Sequence, residues 1–407
     1  QAIATACEAS RYDIPALLHA GRNAGSLAIP LVKMLTAEVA KAEPDAARHV
    51  HKGSTSQDVL DTANVLLTRQ ALALIQADLN TLIASLLSLA AQHADTPVLA
   101  RTLMQPATVT TLGFKLTGWI APLLRSRHAL ARQAASALAL QLGGAVGTLS
   151  ALGDAGPAVR TQMGMALNLR APECWHTQRD EWVRLGAEVG ILTGNLGKIA
   201  TDLSLMAQGE VGELAEPSGA GRGGSSAMPH KRNPVSAMMA LASASRAPAQ
   251  VATLLACMGQ QHERGLGNWQ AELAEWPHLF LGAHGALSAL NQAFDGLQVD
   301  TARMRRNIDS LQGLVFAEAA GQVLAAVIGK AASHHVLEQL SQQAVAEGRH
   351  LHQLTLAHVQ ADAALRTAID PAALARAFSA DEAACHAASV TRHRLASMTS
   401  LPDQTAP

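Results

Sequence analysis

A chain of 407 residues with 49% apolar content can bury a substantial core, and its net charge of −1 excludes a global field that would draw nucleic acid or an anionic membrane surface. Aromatic residues make up only 3% while Ala, Leu, Gln and Met fill long periodic stretches, so an almost wholly α-helical fold packed through small side chains is expected. Cys7, Cys174, Cys257 and Cys385 lack Cys-x-x-Cys spacing, which fits reduced thiols in a cytoplasmic protein better than a disulfide framework or a zinc site.

Residues 1–90 read as an N-terminal helical part interrupted at Pro15, Pro30 and Pro44, and Gln1 in place of Met points to a missing start. In His51-Lys52-Gly53-Ser54-Thr55-Ser56-Gln57-Asp58, Ser54 and Gln57 have capping-box spacing ahead of the periodic Val59, Leu60, Ala63, Leu66 and Leu67, so a helix is expected to begin there. The apolar run at 82–91 is about half of the roughly 20 residues a membrane span needs.

Residues 91–310 carry the long helical patterns of a central bundle. Within Arg101-Thr102-Leu103-Met104-Gln105-Pro106, Pro106 looks like a first helical residue. His176, in Trp175-His176-Thr177-Gln178-Arg179-Asp180, is either a buried, satisfied ring or a partner for substrate. Residues 218–229 form a glycine-rich lid, with Gly219, Gly221, Gly223 and Gly224 permissive and Ser225 and Ser226 carried along by it. Lys231 follows as a cation, with Asn233 as N-cap and Pro234 as first residue of a helix whose free N–H groups favour an anion.

From 234 to about 258 the next helix is apolar all round, with Arg246 its only charge and Pro248 a bend. Such a helix must be buried on every side, which implies a homo-oligomer of packed bundles. Arg264 either pairs with Glu263 or receives a substrate carboxylate. Residues 311–407 form an Ala-rich C-terminal helical part. The pairs His49/His51, His334/His335 and His350/His352 lack metal-site spacing and no dinucleotide fingerprint occurs, so no metal and no cofactor are expected.

Gly224-Ser225-Ser226-Ala227-Met228-Pro229-His230-Lys231-Arg232-Asn233-Pro234 resembles, almost letter for letter, the signature loop of the fumarase/aspartase superfamily. Residues 53–58 resemble its Gly-x-Thr-Ser-x-Asp motif and residues 101–113 its Arg-Thr-His-x-Gln-x-Ala-x-x-x-Thr-Leu-Gly motif, with Leu103 in place of the histidine. The resemblance implies elimination or addition on a small polycarboxylate through a carboxylate-stabilised carbanion, in a homotetramer whose sites are shared between subunits. It implies Ser226, with Ser225 as the neighbouring alternative, and Lys231 as catalytic residues, and substrate contacts from Thr55, Ser56, Arg101, Thr102, Gln105, Met228 and Asn233; His176 and Arg264 are binding candidates on their own residue chemistry.

Leu103 narrows the expectation. In amine-releasing members such as adenylosuccinate lyase the histidine acts as general acid, whereas a carboxylate, whose conjugate acid has a pKa of roughly 4, leaves unaided. The runs at 28–32, 175–180 and 261–264 resemble the lactone-forming branch of the superfamily, in which a substrate carboxylate adds to its own double bond. Adenylosuccinate lyase and a non-enzymatic helical oligomer are the alternatives.

Overall fold

Five long helices set the architecture: Ser56–Gln92 (37 residues), Leu112–Ala137 (26), Asp180–Ala207 (28), Val235–Ala256 (22) and Asn268–Phe294 (27). The computed structural model describes residues 1–399 apart from 220–222, 225–227 and 229. Apolar side chains recur at helical spacing, as in Ile75, Leu79, Leu82, Ile83, Leu86 and Ala90, and the five stripes meet in one core that runs from Val65 to Met304. The Ser56–Gln92 helix is long and apolar enough by composition to cross a membrane, well beyond the ten apolar residues expected there. Its buried stripe faces this core.

Small side chains let two of these helices approach closely. A Cβ on Gly190 would stand 2.4 Å from Val251 Cγ2, and one on Gly197 would stand 2.6 Å from the Ala244 Cβ, so the Asp180–Ala207 and Val235–Ala256 helices touch nearly backbone to backbone. On its other side the Val235–Ala256 helix leaves Met238, Met239, Ala242, Ala249, Ala252 and Leu255 exposed. One chain therefore buries only one side of a helix expected to be enclosed. A smaller core of Ala320, Leu324, Leu337, Val359, Leu365, Ile369 and Leu374 holds the C-terminal helices together.

Several local expectations are corrected. Pro106 does not open a helix: Pro97–Thr102 and Gln105–Thr111 pair antiparallel as a hairpin, and the helix begins at Leu112 with the Thr111 side chain accepting from the Phe114 N–H. The β-branched run Thr108-Val109-Thr110-Thr111 favours a strand, and Pro106 is exposed on it. The capping box at the first long helix is Thr55 with Asp58, one residue beyond the expected pair. Pro15, Pro30 and Pro44 each sit in the first turn of a helix, where proline initiates.

Candidate active site

The first turns of the Ser56–Gln92 helix carry two buried acids, Asp58 and Asp61. Asp58 Oδ2 accepts from the Thr55 and Gly144 N–H groups at 2.9 Å, and its Oδ1 accepts from the Gly143 N–H at 2.9 Å. The same Oδ1 meets His176 Nε2 at 2.7 Å. Gly144 has φ 72°, and a Cβ there would lie 2.9 Å from the Gly53 carbonyl oxygen, so glycine is required where this loop crosses the helix start.

Asp61 is held as firmly. It accepts from Arg179 Nη1 at 2.8 Å, Trp269 Nε1 at 2.9 Å and the amides of Gln57 and Gln141 at 3.2 Å. Arg179 also donates to Glu272 and lies over the Trp175 ring, 4.5 Å from its centroid. Trp182 stacks on Trp276 at 3.9 Å, which completes a rigid wall behind the buried charges. The 175–180 motif thus seats His176 and Arg179 on acids three residues apart in the first long helix.

His176 is only 3% exposed. Burial opposes its charge, but the hydrogen bond to Asp58, with the Cys174 thiol beside the ring, raises its pKa to about 9. The ring is buried, with Nε2 on Asp58 and only the weak Cys174 thiol partner beside the rest of the ring, and both alternatives for this residue stay open.

Arg264 donates to Thr55 Oγ1 at 2.8 Å and to the Ala145 carbonyl at 2.9 Å. No ion pair to Glu263 forms among the described residues. Thr55, Ser56, His176 and Arg264 therefore gather around the helix start, against a cavity of about 460 Å³ that His176 and Glu263 line.

Arg101, Thr102 and Gln105 lie elsewhere. Arg101 forms a two-pronged pair with the fully buried Glu213, at 3.2 and 3.0 Å, and Asn307 donates to the same carboxylate. Thr102 and Gln105 face one another across the hairpin tip, and Leu103 between them is 97% exposed. No hydrogen bond of the described residues joins this group to Thr55, His176 or Arg264 within one chain.

Of the lid, Met228 and Lys231 are exposed and Asn233 is half-buried, its N–H bonded to the Gly223 carbonyl at 2.9 Å. Ser225 and Ser226 fall outside the described residues. The helix start beyond is not free for an anion, since Glu216 accepts from the Ser236 and Ala237 N–H groups at 3.0 and 2.9 Å. Helical residues begin at Val235, with Pro234 in the cap position expected for Asn233. Sequence reasoning gives no role to Asp61, Glu213, Glu216 or Glu272; an acidic pair three residues apart opening an otherwise apolar helix is the one signal available.

A lyase family profile matches residues 6–248. The 3-carboxy-cis,cis-muconate cycloisomerase of Bradyrhizobium diazoefficiens is 49% identical over 364 residues, 89% of this chain and 81% of that protein. The enzyme of the same name from Pseudomonas putida is 48% identical over 351 residues, covering 86% and 83% of the two chains. The crystal structure of 3-carboxy-cis,cis-muconate lactonizing enzyme from Pseudomonas putida superposes with a TM-score of 0.91 at 42% identity, over 98% of this chain and 88% of that one. With a family profile over more than half its length and relatives at nearly 50% identity over most of it, the chain belongs to the lyase family and has its fumarase/aspartase-type helical fold.

Proposed function

We propose that the chain converts 3-carboxy-cis,cis-muconate to a carboxymuconolactone. Near-half identity to two cycloisomerases over most of the length carries this reading. Leu103 at the hairpin tip supports it chemically: no acid stands where a leaving amine would need one.

In the reaction a free carboxylate of the substrate attacks its own conjugated double bond. The adjacent carbon becomes a carbanion delocalised into a neighbouring carboxylate, and protonation of that carbon completes the addition. Preorganised donors aimed at the developing oxyanion lower the barrier more than any other group in such a site. Thr55, Ser56, His176 and Arg264 offer such donors at the helix start, while Lys231, Asn233, Thr102, Gln105 and the lid residue Met228 complete the site. Ser226 is the proton carrier, made possible by the charge of Lys231. Arg101, tied to Glu213, anchors the hairpin that presents Thr102 and Gln105.

The division of these residues into groups unlinked within one chain, together with the exposed apolar side of the Val235–Ala256 helix, supports a homotetramer whose sites are completed between chains. A three-part chain with borders near 90 and 310, a cytoplasmic location and activity without cofactor belong to the same proposal.

The test is an ultraviolet assay that follows loss of the conjugated diene of 3-carboxy-cis,cis-muconate without added metal, beside adenylosuccinate. Diene loss with lactone formed is expected. Turnover of adenylosuccinate alone overturns the reading.

A further inference from the structure

We propose that Arg160 is a substrate-recognition residue, and that with His176 it forms the anion subsite of the cavity against the helix start, receiving one carboxylate of a polycarboxylate. The inference rests on the polycarboxylate reading above and names the cation for it.

The cavity of about 460 Å³ runs between the 143–149 loop, the Gly156–Leu167 helix and the 173–178 segment. Arg160 lines it, half-buried, and none of the hydrogen bonds or ion pairs of the described residues occupies its guanidinium. A guanidinium held at a cavity wall without an internal partner is a ready fork for a carboxylate. The second observation is independent. His176 lines the same cavity, 3% exposed, with Nε2 fixed on Asp58 at 2.7 Å, so the charge of its ring stands in the cavity wall beside Arg160.

The surroundings fit an anion. Asp58 keeps the His176 ring protonated at neutral pH, so the cavity presents two cations, and Thr148, Thr177 and Gln178 add neutral donors around them. Glu173 and Glu263 also line the cavity, but both are exposed, so water screens them. The position of Arg160 is fixed by close packing. A Cβ on Gly156 would meet Leu149 at 2.9 Å, which seats the first turn of its helix on the loop, and a Cβ on Gly143 would lie 2.4 Å from Cys174 Sγ, which seats that loop on the segment carrying His176.

The experiment compares the intact wild-type protein with Arg160→Gln and Arg160→Lys, each first shown to melt and assemble like wild type. Calorimetric titration with tricarballylate, a non-reacting tricarboxylate, reads binding without turnover. Arg160→Gln is expected to weaken it by roughly 10- to 100-fold, the range for losing a hydrogen bond to a charged group, with Arg160→Lys between the two. With 3-carboxy-cis,cis-muconate the same loss should appear in KM while kcat stays within about threefold, as for uniform binding. Equal tricarballylate affinity in Arg160→Gln and wild type, or no binding by wild type, overturns the subsite. If wild type fails to consume carboxymuconate while tricarballylate binding still depends on Arg160, the proposed reaction falls and the subsite stands.

Discussion

A buried imidazole ordinarily gives up its charge, and His176 keeps it chiefly because Asp58 stands 2.7 Å away, its carboxylate already held by three backbone N–H groups, with the Cys174 thiol adding to the shift. The folded pKa of about 9 lies above the ordinary value of 6.5, so the pair's contribution is complete below about pH 6.5 and is lost as pH rises through 9. The shift corresponds to at most about 3 kcal/mol. Denaturant unfolding at pH 6 and pH 9.5 should show wild type losing up to that amount while His176→Gln loses much less. Parallel pH dependence in the two proteins would mean that the ring is neutral in the fold. Asp58→Asn is expected to cost more than His176→Gln at pH 6, because the same carboxylate caps a 37-residue helix and holds the glycine turn.

At the scale of elements, the hairpin tip stands apart. Leu103 and Met104 both have positive φ, 50° and 66°, in a two-residue loop of the kind that favours Asn-Gly, and both side chains are exposed. Two apolar residues held in the left-handed region without burial cost of order 1–3 kcal/mol each, a strain that points to use of the tip in the assembled site. Met104→Gly should therefore raise the melting temperature by about 1 °C, for about 1 kcal/mol of relief in a chain of this length, and lower turnover. A rise in stability with no loss of activity would remove the tip from the site. This hairpin also shows where sequence reading stops. Pro106 reads as a helix start because proline fits a first turn, but four β-branched residues after it outweigh that signal, and the strand partner that decides the matter is supplied by residues 97–102. The helix start at 54–58 is legible to within one residue, its cap falling on Thr55 and not on the expected Ser54, because the signal is local. That His176 lands on Asp58, and Arg101 on Glu213, is not, since each pair spans more than 100 residues of chain and carries no local periodicity. Glu216 takes the helix start that reads as an anion site for the same reason: its position twenty residues before Ser236 says nothing until the chain folds back.

For the whole molecule the Val235–Ala256 helix is decisive. Met238, Ala242, Ser245, Ala249, Ala252 and Ala256 recur every three or four residues along one exposed stripe, a face that water alone would not favour on a helix whose opposite side is already in the core. Small residues there permit a second helix to approach as closely as the Asp180–Ala207 helix does through Gly190 and Gly197. Ala249→Glu adds one charge to that stripe without touching the chain's own core, and a glutamate is at home on a solvated helix. If copies of the chain pack on this face, the charge is buried without a partner and costs several kcal/mol of association. Light scattering should then show smaller species, and with Thr102 and Gln105 separated from the Thr55, His176 and Arg264 cluster of a neighbouring chain, turnover should fall by more than about tenfold even though helicity and monomer unfolding stay close to wild type. A fully active protein of unchanged mass would place the interface on another face, and a fully active monomer would mean that one chain closes its own site.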